Sequence, residues 1–122
     1  MDQQFALQVL TLSLTLFTLI TGVYLTHKAK PYNSTWSNLH RVATFILLFC
    51  YILMTYPFIS GSENSSFMLI LFYGTIILFV LSALSGFIVA SLNSNICWLT
   101  WSHRIIALVC YALGAYIWFS LV

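Results

Sequence analysis

The chain has 122 residues, of which 61% are hydrophobic and 5% charged, with four Lys or Arg against two Asp or Glu. A mean hydropathy of +1.00 excludes an ordinary soluble domain, in which about a quarter of the residues are charged. So few basic residues also leave no cationic patch for a nucleic acid.

Apolar runs of about 20 residues are long enough to cross a bilayer, and four of them follow one another. The first is Phe5–Thr26, the second roughly Thr35–Ile59, the third Ser66–Leu92 and the fourth roughly Ile96–Val122. The first has no basic n-region, exceeds the usual length of a signal-peptide core and shows no small-residue cleavage site, so it reads as a span. Almost nothing remains outside the four, which predicts a single transmembrane domain over residues 1–122. The links HKAKPYNS, SGSENS and NSN are short, and short links make successive helices antiparallel neighbours. The expected fold is an all-α, integral-membrane, up-down-up-down four-helix bundle.

Asn33 or Ser34 can cap the second helix and Asn95 the fourth. Pro57 should kink or stop the second helix near its end. Asn33 and Asn64 each open an Asn-Ser-Thr/Ser pattern, which matters only in a eukaryotic secretory route. Cys50, Cys97 and Cys110 have no C-x-x-C spacing, and in apolar helices a free cysteine behaves as a small hydrophobe.

Two of the three histidines are followed by arginine, in NLHRVATF (38–45) and WSHRIIAL (101–108). Both lie roughly two turns into a helix, and the second and fourth helices start at the same membrane face. His40 and His103 should therefore sit at equal depth, facing each other across the core. The preceding helices match as well. Thr21-Gly22 and Ser85-Gly86 each stand about 17 residues before a His-Arg, the mark of a two-helix internal repeat.

A histidine inside a membrane helix is costly and marks a functional site by default. Two at one depth in an apolar bundle suit one haem b, its iron taking an imidazole from each side. The face of His40 continues as Ala43, Thr44, Leu47 and Tyr51, and that of His103 as Ile106, Ala107, Cys110 and Gly114, with small residues leaving space for a macrocycle. Gly22 and Gly86 would let backbone approach it closely. Arg41 and Arg104 would meet its propionates at the polar end. Gln4, Gln8, Thr11, Thr15, Thr18 and Gly22 form one stripe on the first helix, expected to face inward. Each feature has a plainer reading: small residues for close helix packing, threonines bonded to their own helix, arginines snorkelling to the interface. The pairing of two His-Arg units outweighs these for His40 and His103. His27, in THKAK, lacks a partner and reads as interfacial.

LHRVATF and SHRIIAL resemble the His-Arg helix starts of the haem A synthase family. Its members usually have eight helices in two similar four-helix bundles, each holding a haem between histidines of its second and fourth helices. The chain resembles one such bundle nearly end to end, and the resemblance implies His40 and His103 as axial ligands. It departs in two ways. The residues before His40-Arg41 are STWSN, without the acidic residue that precedes the family's His-Arg and serves its oxidation chemistry. The family's loop cysteine pairs are absent too. Other small cytochrome b anchors share local features with the chain, including the membrane subunits of succinate dehydrogenase with their Ser-x-x-His-Arg segment, and generally have three helices per subunit.

Three function classes are compatible with these features. The first is a b-type cytochrome with one bis-histidine haem, a non-catalytic electron-transfer subunit among the other membrane subunits of a respiratory complex. It would lie in a prokaryotic plasma membrane or an organelle inner membrane. With both axial positions filled, no position remains for a substrate, and no residue is assigned as catalytic. The second is a half-size haem A synthase-like enzyme or haem-handling factor for terminal oxidase biogenesis. The third is a haem-free structural or assembly subunit. On orientation, Lys28, Lys30, Arg41 and Arg104 gather at the face of the first and third links, with Asp2 and Glu63 at the other. The positive-inside rule makes that face, and the haem near it, cytoplasmic. The family resemblance implies the reverse.

Overall fold

The computed structural model describes residues 3–28, 30–61, 66–92 and 96–121. They form four helices: α1 (Gln3–His27), α2 (Ser34–Gly61), α3 (Ser66–Ser91) and α4 (Cys97–Leu121). All four are long and apolar enough to cross a membrane. At 1.5 Å per residue the shortest, of 25 residues, reaches about 37 Å, against a hydrocarbon core of about 30 Å. Each boundary falls within two or three residues of its sequence expectation. In a bilayer every backbone group must be satisfied within the protein, which a helix does on its own.

Asn33 is the cap of α2: its Oδ1 accepts from the amides of Thr35 at 2.9 Å and Trp36 at 3.4 Å. The other expected cap, Asn95, lies outside the described residues, as do Asn64, Asp2 and Glu63. Pro57 does not stop α2, which continues through it to Gly61. Being only four residues from the helix end, the proline removes one amide donor where little helix remains to be disrupted.

α1 packs along α2 and α3 along α4, so the chain is two helical hairpins. They meet through α2, which touches both α3 and α4. α2 and α4 are thus closer than diagonal helices of a square bundle. Among the described residues, α1 reaches α4 through a side-chain bond, Tyr111 donating its hydroxyl to Thr18 Oγ1 at 2.7 Å.

The core fills one half of the bundle. Tyr51, Ile59, Phe72 and Ile117 form one buried cluster, and Leu47, Phe79 and Cys110 a second beside it. Tyr51 links the two by packing its ring 5.9 Å from Phe72 and 6.1 Å from Phe79, centre to centre. Outside these clusters the large apolar side chains, such as Ile20, Phe49, Ile70 and Leu108, are mostly exposed, as suits a lipid-facing surface. The other half of the bundle, toward the first and third links, is not closed by core packing.

A candidate two-histidine cavity

Both histidines lie six residues past the first residue of their helix (40 − 34 and 103 − 97). At 1.5 Å per residue that is about 9 Å of helix. They line one cavity of about 620 Å³, within the range of small-molecule and cofactor sites. All four helices contribute. Thr18 and Gly22 come from α1; His40, Arg41 and Thr44 from α2; Phe79, Ala83 and Gly86 from α3; His103, Arg104, Ala107 and Tyr111 from α4. All six residues expected from the sequence to bind a cofactor, His40, His103, Arg41, Arg104, Gly22 and Gly86, are thereby brought to one place.

Each imidazole is held by the preceding helix of its own hairpin. Thr21 Oγ1 is 2.9 Å from His40 Nδ1, and Ser85 Oγ is 3.0 Å from His103 Nδ1. The neighbouring glycines make room for the rings. A Cβ on Gly22 would stand 3.3 Å from His40 Cε1, and one on Gly86 would stand 2.8 Å from His103 Cε1. The Thr/Ser-Gly…His repeat read from the sequence is therefore a repeated contact. The glycines serve the histidine ring directly, a role not foreseen for them.

The arginines differ from each other. Arg41 lays its guanidinium over the Phe87 ring, 5.0 Å from its centre, and Arg104 lies 5.3 Å from the centre of Trp101. Arg104 Nε is buried without a hydrogen-bond partner. A buried guanidinium nitrogen left unpaired costs free energy, and an anionic group entering the cavity would relieve it.

The expected faces are largely as read. Ala43, Leu47, Tyr51 and Cys110 are buried, with Thr44, Ile106, Ala107 and Gly114 partly so. The α1 stripe faces inward from Thr11 to Gly22 but not at its start, where Gln4 is exposed. The threonines of the stripe bond to their own helix, Thr11 to the Leu7 carbonyl and Thr15 to the Thr11 carbonyl, both at 2.8 Å. Inward placement and self-bonding hold together. His27 is the exposed last residue of α1 and lines the cavity at its outer end.

Two polar ties across the hairpins had no clear sequence signal. Lys30 donates to the carbonyls of Val89 and Leu92. It supplies positive charge and donors to the carbonyl end of α3, where both are favourable. Tyr111 bonds Thr18 at the deep end of the cavity. The lone hint was a tyrosine in an otherwise apolar stretch of α4, since a buried phenol seeks a partner.

Among the described residues no group of three or more His, Cys, Asp or Glu could hold a bare metal ion. Two imidazoles suffice only for a metal that brings its other ligands with it. Comparison with protein-family models, with curated proteins and with solved structures finds no match for this chain.

Proposed function

We propose that the chain is a membrane-embedded b-type cytochrome, with one haem in the cavity between His40 and His103. The observation that carries this reading is the pair of matched imidazoles, each tethered through Nδ1 by a hydroxyl of its own hairpin and both lining one cavity of about 620 Å³. A porphyrin would supply the iron's other ligands, so His40 and His103 are the residues that would hold it. The unpartnered Arg104 Nε and the nearby Arg41 suit propionate carboxylates. When bound, the haem supplies one-electron redox chemistry at the iron. The chain's own part is to orient two imidazoles, exclude water with apolar walls and neutralise the propionates.

With two protein ligands holding the iron, no position would remain for a substrate, and electron transfer would be favoured over catalysis. A single haem passes electrons between partners, so the reading implies neighbouring membrane subunits of a respiratory complex. The resemblance of LHRVATF and SHRIIAL to haem A synthase helix starts supports the ligand pair. The missing acidic residue before His40 weighs against the synthase reaction.

The test is a reduced-minus-oxidised absorbance spectrum of the purified chain, expected to show six-coordinate low-spin haem. His40→Ala and His103→Ala should each abolish that signature, and His27→Ala should keep it. A normal low-spin spectrum in either of the first two variants refutes the assignment.

A further inference from the structure

The hydroxyls beside His40 and His103 each have backbone carbonyls of their own helix within reach as well as the imidazole. Thr21 Oγ1 is 2.8 Å from the Phe17 carbonyl and 3.2 Å from the Thr18 carbonyl. Ser85 Oγ is 3.0 Å from the Ser82 carbonyl. A carbonyl oxygen only accepts, and a hydroxyl has a single hydrogen to give. With that hydrogen donated to the helix backbone, each hydroxyl oxygen meets its imidazole as an acceptor. In that arrangement Nδ1 carries the ring proton on both histidines, and Nε2 is the nitrogen with the free lone pair. The adjacent glycine fixes where the ring sits, since a Cβ at Gly86 or Gly22 would approach Cε1 to 2.8 or 3.3 Å. A hydroxyl and a bare α-carbon, side by side in sequence, thus hold one tautomer in one position, and the chain does this twice.

We infer that Thr21 and Ser85 are positioning residues that present Nε2 of His40 and His103 to the iron and set its redox poise, an inference that rests on the haem reading. Acceptors on the far nitrogen of a ligating histidine fix its orientation and raise its basicity. A more basic axial imidazole stabilises ferric over ferrous iron, because it donates more electron density to the metal. A neutral hydroxyl does this mildly, whereas a carboxylate would pull the proton further and make the ring more anionic. Two hydroxyl acceptors therefore leave both ligands as neutral imidazoles. Removing either hydroxyl should make its ligand less basic and move the midpoint potential upward.

Two measurements test this separately. In haem-free protein in detergent, ¹⁵N NMR of histidine-labelled chain should show His40 and His103 protonated at Nδ1. Thr21→Val should abolish that preference for His40 alone, and Ser85→Ala for His103 alone. A ring protonated at Nε2 in the unmodified protein overturns the inference. In the haem-loaded protein, the same two variants should keep low-spin haem and bind it about tenfold more weakly. The ferric-over-ferrous preference should fall by up to about tenfold, an upward shift of up to about 59 mV for one electron. Thr21→Ser and Ser85→Thr retain the hydroxyl and should restore both signatures, which loss of packing alone would not predict. Midpoints unmoved in both hydroxyl-free variants overturn the role in redox poise. If the unmodified chain takes up no haem, the haem reading and the iron role fall together, and the NMR result then stands on the cradle alone.

Discussion

Gly86→Ala separates a cradle built for the histidine from ordinary helix packing, because the two make opposite predictions. In a helix interior the change from glycine to alanine is favourable by about 0.8–1 kcal/mol. Here the new Cβ would stand 2.8 Å from His103 Cε1 and 3.4 Å from both ring nitrogens. Ordinary contact begins at 3.4 Å, so the ring must retreat by about 0.6 Å (3.4 − 2.8). Retreat stretches the 3.0 Å bond to Ser85, which sits on the same helix as Gly86 and does not move with the ring. Overpacking of this kind costs about 1–3 kcal/mol. Set against the helix gain, haem-free stability should change by between zero and about 2 kcal/mol of loss. The bound haem sees the displaced ligand without that offset, so its dissociation should quicken about 5- to 150-fold. Gly22→Ala is the internal control. Its Cβ would fall short of ordinary contact with His40 Cε1 by only about 0.1 Å (3.4 − 3.3), and haem loss should stay near the parent rate. The assay is transfer of haem to an excess of a scavenging haem protein, followed by absorbance. Equal retention by the two variants, or faster loss from Gly22→Ala, would refute the reasoning.

Three further outcomes are expected. Arg104→Ala should speed haem loss more than Arg41→Ala, because Arg104 Nε is buried without a partner whereas Arg41 already lies on Phe87; neither should remove axial ligation, and the same transfer assay ranks them. Tyr111→Phe removes the Thr18 bond and should destabilise the haem-free chain by about 0.6 kcal/mol, the usual worth of such a bond between membrane helices, as read from unfolding in mixed detergent; no change would show that the bond contributes nothing. A cysteine at Ala29, in a chain whose native cysteines are replaced, should resist a membrane-impermeant reagent in intact cells if the lysine-bearing link is cytoplasmic, and efficient labelling from outside would reverse the orientation.

The helices were legible because membrane spans are written in composition. Twenty-odd apolar residues between polar links have one solution in a bilayer, and the four ranges came directly from it. That the two histidines share one cavity was legible because a histidine in such a run stands out, and because its distance from the helix start repeats. The mechanism of holding the rings was not. Thr21-Gly22 and Ser85-Gly86 read as a repeat, but a sequence does not say which atom a missing Cβ makes room for. Lys30 counted as a topology signal, and its bonds to the last carbonyls of α3 depend on two hairpins meeting at a particular offset. This weakens Lys30 as evidence for orientation, since a lysine that closes a helix end has a structural reason to be where it is. The span read as Thr35–Ile59 already passed Pro57, and of the two effects expected of that proline, stopping the helix is not seen. The damage a proline does depends on how much helix lies on either side of it, and α2 ends only one turn beyond Pro57, at Gly61.

On the haem proposal, the same geometry would make haem binding and hairpin association one event. At the packed end the hairpins are joined by Tyr51, Phe72, Phe79 and Ile117. At the open end the cavity walls include Gly22, Ser37, Thr44, Ala83, Gly86 and Ala107, too small to fill the space between them. Spanning that end are the Lys30 tie at the rim, the Arg41 guanidinium laid over Phe87 and the Tyr111–Thr18 bond at the base. Each hairpin carries one imidazole with its own hydroxyl and glycine, so neither hairpin contains a site and both together contain one. A ligand that binds only the joined state stabilises it by RT ln(1 + [L]/Kd), about 4 kcal/mol at a thousandfold excess over Kd. Separate bonds within the membrane are worth about 0.6 kcal/mol each on average. A bis-histidine haem would therefore be the largest single contributor to closing the open half, and the chain's two-hairpin repeat makes sense as two half-sites that need a common ligand to complete them.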